Sequence, residues 1–137
     1  MSALVDTSIW SLSLRRRQGR SKKEDLFVDE LGQLIASDQA RIIGAIRQEL
    51  LSGIRSPEQF TSLRDRMRSF IDLPVGSQDH EMAASFANAC TAKGIQNSSI
   101  DMLICAIAVR YELAIFTTDT DFTHYQNHLP IRLHHAS

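Results

Sequence analysis

The sequence predicts an α/β fold: a parallel sheet of four to five strands covered by helices on both faces, in a three-layer α/β/α sandwich. Two observations predict it. Short apolar runs, Ala3-Leu4-Val5, Arg41-Ile42-Ile43 and Leu113-Ala114-Ile115-Phe116-Thr117, have the length and composition of buried strands. Between them lie longer stretches with helical spacing, so strands alternate with helices along the whole chain, as a parallel sheet requires.

The elements follow in order. Asp6-Thr7-Ser8 ends the first strand and opens a helix through Ile9, Trp10, Leu12 and Leu14, capped by Asp6 or Thr7. Six cations between Arg15 and Lys23 break that pattern and mark an exposed loop or helix end. Helical spacing resumes with Leu26, Phe27, Leu31, Leu34 and Ile35 and ends near Ser37-Asp38. After the second strand, Gly44-Ala45-Ile46 leads into a helix bearing Glu49, broken by Gly53 and Ser56-Pro57. Glu58 to Ser69 reads as a further helix, and Phe70 to Leu73, before Pro74, as a third strand. Ser77 or Asp79 opens a long helix to Lys93, stopped by Gly94. Asn97-Ser98-Ser99 caps the next helix, whose apolar stripe runs from Ile100 to Tyr111 and leads to the fourth strand. Asp119-Thr120-Asp121-Phe122 starts a short helix, and Leu129 to Leu133 is a last strand, kept at the edge by Pro130.

A length of 137 residues fits a single domain over 1–137, and 43% apolar residues can fill one core. The net charge of -1 excludes a wholly basic nucleic-acid binder, so contact with a polyanion requires a local patch. Cys90 and Cys105 lie inside helices without partners at zinc-ligand spacing and read as small core residues, in keeping with a reducing cytoplasm. No signal-peptide pattern precedes Asp6, and no stretch is long enough to span a membrane.

Ligands of open parallel sheets bind beyond the carboxyl ends of the strands. Asp6 follows the first strand there, and Asp119 and Asp121 follow the fourth. Glu49 lies in the helix after the second strand. Asp101 lies in the first turn of the helix that runs back to the fourth, which places it at the same rim. Taken singly, each acid has an ordinary use: a cap for Asp6, a dipole partner for Asp101, a solvated face for Glu49, a turn for Asp119 and Asp121. Gathered together, they would repel one another unless a cation intervened. Hard divalent ions such as Mg²⁺ and Mn²⁺ take such oxygen ligands and keep waters for a substrate, which suits phosphodiester hydrolysis by a metal-activated water.

At this point the chain resembles a known family. Leu4-Val5-Asp6-Thr7-Ser8 resembles the opening of PIN domains. Asp101 with Leu103-Ile104-Cys105-Ala106 resembles their "aspartate, leucine, isoleucine, alanine" helix. Ile115 to Phe122 resembles their fourth strand with its "threonine, x, aspartate, x, aspartate, phenylalanine" ending, and Glu49-Leu50-Leu51-Ser52-Gly53 their glutamate helix. Length and layout are similar to the toxin nucleases of bacterial toxin–antitoxin pairs, the VapC group. The resemblance implies an Mg²⁺- or Mn²⁺-dependent endoribonuclease leaving a 5′-phosphate and a 3′-hydroxyl, a homodimer, and a small antitoxin that blocks the site. It implies Asp6 and Asp101 as direct metal ligands. Glu49 and a fourth acid, Asp119 or Asp121 with Asp119 favoured, would serve a second ion or the water. Thr7 and Thr118 match hydroxyls that hydrogen-bond around the acids.

Arg15, Arg16, Arg17, Arg20, Lys22 and Lys23 are the expected RNA-phosphate contacts, because an acidic site repels a polyanion unless cations offset it. Arg64, Arg66 and Arg68 read as surface charge. His124 and His128, one helical turn apart, read as surface histidines, and His134-His135 as incidental. Trp10 and Phe27 read as core or dimer-contact residues rather than base-stacking platforms. Two other functions compete: a non-catalytic PIN-like module acting through antitoxin or promoter association, and a phospho-acceptor domain. The second wants an acceptor aspartate after the third strand and a lysine after the fifth, where Pro74-Val75-Gly76 and Leu133-His134 stand.

Overall fold

A computed structural model describes residues 1–15 and 17–136. Strand β1 (Ala3–Val5) lies at the centre of a parallel sheet, between β2 (Ala40–Arg41) and β3 (Ala114–Phe116). Leu4 pairs with Arg41 on one side and Ile115 on the other. A single parallel bridge extends each flank, Ile42 to Asp72 and Ile115 to Leu133. The regions expected as third and last strands therefore lie at the two edges, each reduced to one ladder position. Pro74 and Pro130, which cannot donate to a ladder, stand beside them. All residues of β1 and β3 are buried, as befits strands with helices on both faces.

The helices are α1 (Thr7–Ser13), α2 (Lys22–Ala36), α3 (Gly44–Leu51), α4 (Pro57–Met67), α5 (Ser77–Ala92), α6 (Ser99–Arg110) and α7 (Asp121–Gln126), with a 3₁₀ turn at Arg17–Gly19. Helix α1 packs on α2 and α3, α3 on α4, and α5 on α6. Helix α2 starts four residues earlier than the apolar spacing suggests. Ser21 accepts from the Glu24 N–H while the Glu24 carboxylate accepts from the Ser21 N–H, a reciprocal cap that holds the first turn. Ser56 caps α4 with Pro57 in its first turn, and Gly94 supplies the positive φ of +74° that ends the α5 segment.

Helix α6 is apolar all round: Met102 to Ala108 are buried without exception, so it is a core helix rather than a surface one. Trp10 packs edge-on against Phe70 at 5.0 Å and donates its indole N–H to the Val5 carbonyl, which makes it a core residue. Cys90 and Cys105 are buried free thiols. His134 is not incidental: its ring meets Glu30 at 2.6 Å and lies edge-on to Phe116, tying the C-terminal segment to α2. Among the described residues, no helix is long and apolar enough to cross a membrane.

The β2-side edge is held by Arg47 of α3. Its guanidinium donates to the Met67 and Phe70 carbonyls at 2.8 and 2.6 Å and to the Asp72 carboxylate at 2.8 Å. Removing it leaves those acceptors without partners. We expect Arg47→Ala to lower unfolding free energy by roughly 2 kcal/mol, measured by urea denaturation.

Candidate active site

The sheet order places the site. From β1 the chain passes to β2 on one side and later to β3 on the other, so strand order reverses at β1. Such switch points open a crevice at the carboxyl ends of the strands. The parallel pairing runs one residue past the strands, because the Asp6 N–H donates to the Phe116 carbonyl at 2.9 Å. Asp6 and the loop after Phe116 therefore share one rim.

Asp6 stands at the N-cap of α1, yet its side chain makes no cap bond. The carboxylate instead accepts from Thr117 Oγ1 at 2.7 Å and Ser8 Oγ at 2.9 Å. Thr117 Oγ1 in turn accepts from the Asp119 N–H, and Ser8 Oγ from the Thr118 N–H. Two hydroxyl relays thus couple Asp6 to the loop after β3. The bonding hydroxyl belongs to Thr117; Thr118, expected in that part, is exposed and contributes its N–H. Ser8 and Thr117 were not singled out from sequence. Thr7, which was, donates to the Glu49 carboxylate and links α1 to α3.

Asp119, Asp121 and Asp101 come together, with a carboxylate oxygen from each within 4.8 Å of the others. Asp119 Oδ1 accepts from the Asp121 N–H at 2.9 Å, so Asp119 builds the turn that starts α7 while facing the cluster. Asp101 enters from the first turn of α6, where its N–H bonds to the Ser98 hydroxyl. Burial, followed by the charges of Asp6 and Asp119, pushes the Asp101 carboxyl up to about 6, against a hydrogen bond from Tyr125. The Tyr125 phenol is itself pushed upward, by burial and by its bond to Asp101. Both fourth-acid candidates thus lie in the tight group. Asp6 adjoins it through Thr117 and its charge on Asp101, and exposed Glu49 stands further out.

Several grooves lie around the acids, and one of about 250 Å³ is lined by Asp121 and Tyr125 with Ile95, Gln96 and His124. Another of about 380 Å³ is bordered by Ser8, Thr118, Phe27, Arg15 and Lys23. A larger one, about 630 Å³, lies beside the cluster rather than over it, between Glu49, Gln48, His80, Ile100 and Met102. Of the basic segment, Arg15 pairs with Glu24 at 3.2 Å, and exposed Lys22 and Lys23 open α2. Arg20 is largely covered and sits 3.0 Å from Asp25, too poorly aligned for a hydrogen bond. Arg16 and the Arg17 side chain lie outside the described residues.

The PIN domain family model matches residues 3–127. The chain belongs to the PIN domain family. Its backbone is similar to that of several solved structures over nearly its whole length. FitAcB from Neisseria gonorrhoeae superposes with a TM-score of 0.76 at 21% identity, covering 98% of this chain and 97% of that one. VapBC2 from Rickettsia felis, solved with a DNA fragment from its promoter, gives 0.73 at 16% identity and 98% coverage of both chains. VapBC-1 from nontypeable Haemophilus influenzae gives 0.72 at 16% identity, covering 98% of this chain and 97% of that one. In this PIN domain the acids fit a hard divalent cation: the donors are all oxygen, come from α6 and from the turn that starts α7, and Asp101 and Asp119 are partly withdrawn from water.

Because the folded Asp101 carboxyl titrates above its usual 3.8, the fold binds that proton more tightly than the unfolded chain. Stability from this group is full below about 4 and is lost as pH rises through about 6. Asp101→Asn, which still offers Tyr125 an acceptor, should stabilise the metal-free protein near pH 8. The gain should be on the order of 1 kcal/mol, reduced by solvent screening of a partly exposed carboxyl. It should fade towards pH 4, as thermal melts across that range would register.

Proposed function

We propose that the chain is a Mg²⁺- or Mn²⁺-dependent endoribonuclease, the toxin of a toxin–antitoxin pair. The observation that carries the reading is the approach of Asp101, Asp119 and Asp121 to within 4.8 Å, with Asp6 held at the same rim. Membership of the PIN domain family supports it, as does a structural neighbour described as a toxin–antitoxin complex from Klebsiella pneumoniae. A bound divalent ion would neutralise these acids, acidify a water and stabilise the leaving oxygen.

The chain's own residues have distinct parts. Asp101, Asp119 and Asp6 would hold the ion, with Asp121 beside them. Glu49, which accepts from Thr7, would orient the attacking water. Ser8 and Thr117 neutralise part of the Asp6 charge through hydrogen bonds and keep it aimed along the rim. Open grooves beside the acids would accommodate an internal stretch of polynucleotide, in keeping with endonuclease action. Arg15 and Lys23 border the groove of about 380 Å³ and offset the repulsion between acids and phosphates. A 5′-phosphate and a 3′-hydroxyl are the expected ends. A small antitoxin is the proposed partner, a homodimer the proposed assembly, and the cytoplasm the proposed location.

RNA cleavage in Mn²⁺ or Mg²⁺ is the direct test. A chelator should abolish it. Asp6→Asn should lower kcat/KM by roughly 100-fold or more, since several kcal/mol of charge stabilisation are at stake. Cleavage that survives both treatments would reject the metal mechanism.

The groove reading has its own measurement. Arg15→Ala and Lys23→Ala should each weaken binding of single-stranded RNA to a metal-free, cleavage-silent Asp6→Asn background. Each should also flatten the log–log salt slope by about 0.7. An unchanged slope would place the phosphates elsewhere.

A further inference from the structure

The aspartates of the cluster do not hold their own orientations equally. Asp119 is braced by its turn, with Oδ1 taking the Asp121 N–H. Asp6 is braced by two hydroxyls. Asp101 has one weak partner at its own helix start, the Ser98 hydroxyl, which accepts from its backbone N–H and acts only slightly on its carboxylate, so the carboxylate keeps latitude about its last torsion. The group that stops it comes from another element. Tyr125 of α7 donates its phenol to Asp101 Oδ2 at 2.9 Å.

Tyr125 is well built for that duty. Only 2% of it is exposed, and its ring packs edge-on to fully buried Phe122 at 5.3 Å, so the hydroxyl has a fixed origin. With Phe122 it anchors the helix whose first residue is Asp121. One side chain therefore links the two halves of the acid cluster, the α6 side and the α7 side.

We propose that Tyr125 is a positioning residue for the divalent ion. By holding Asp101 Oδ2 it leaves the other oxygen directed at the ion and sets the gap between Asp101 and the Asp119–Asp121 turn. Outer hydrogen-bond partners of metal ligands act in this way, fixing orientation before the ion arrives. The proposal rests on the metal-dependent reading above, and its test separates the two.

The experiment measures Mn²⁺ binding to the metal-free protein by calorimetry, with thermal melts of the same samples. Tyr125→Phe keeps the ring and removes the hydroxyl. It should weaken Mn²⁺ affinity by about tenfold while lowering the metal-free melting temperature by less than loss of the whole ring does. Its RNA cleavage should be poor at limiting Mn²⁺ and recover at saturating Mn²⁺, with kcat restored. Tyr125→Leu, which also loses the ring, should match the Phe variant in affinity although it melts lower. Wild-type affinity in Tyr125→Phe, or a loss confined to Tyr125→Leu, would overturn the inference and leave the nuclease reading intact. A wild-type protein that binds no Mn²⁺ would overturn both.

Discussion

The arrangement depends on a parallel pairing that does not stop where its strands stop. The Asp6 N–H reaches the Phe116 carbonyl, and two hydroxyls then carry the connection from the Asp6 carboxylate into the loop beyond β3. Residues more than a hundred positions apart in the chain are thereby locked at one rim. The other acids follow from this. The loop that bonds to Asp6 also makes the Asp119 turn, the turn starts α7, and α7 carries the phenol that meets Asp101. Helix α6 completes the set because it must run back along the sheet to deliver β3, which puts its first turn at the same end.

Such a gathering of like charges opposes folding, and the fold meets the cost in more than one way. Hydroxyls and N–H groups solvate Asp6 and Asp119 from within. Asp101 is the least relieved, since it is partly buried and faces other carboxylates, and its affinity for a proton rises accordingly. Stability is recovered elsewhere, in the wholly apolar middle of α6 and in Arg47, whose guanidinium gathers carbonyls from the end of α4 and the sheet edge. The division sets strain of charge at the rim against dense packing beneath it.

Much of this was legible in the residues. The runs at Ala3–Val5 and Ala114–Phe116, the Gly94 stop and the Ser98 cap stand where their local chemistry put them. Placing acids by strand end and helix start brought Asp6, Asp101, Asp119 and Asp121 to one place. Other features left weaker marks. A strand buried on both faces has no polar–apolar alternation, so nothing in Phe116-Thr117-Thr118 says which threonine turns inward, and the hydroxyl that bonds Asp6 proves to be that of Thr117. The Ser21–Glu24 reciprocal cap was written in the sequence but obscured by the surrounding cations. Tyr125 shares a helical face with Phe122 and reads simply as core until α6 is packed beside it. The outer strands shrink to one bridge each, near Pro74 and Pro130, which cannot donate to a ladder.

Those curtailed margins have a further consequence. Each flank of the described sheet offers one bridging position, at Asp72 or Leu133, rather than a row of free backbone donors and acceptors. Neither gives an incoming chain enough ladder to zip onto, which guards against fibrous self-association.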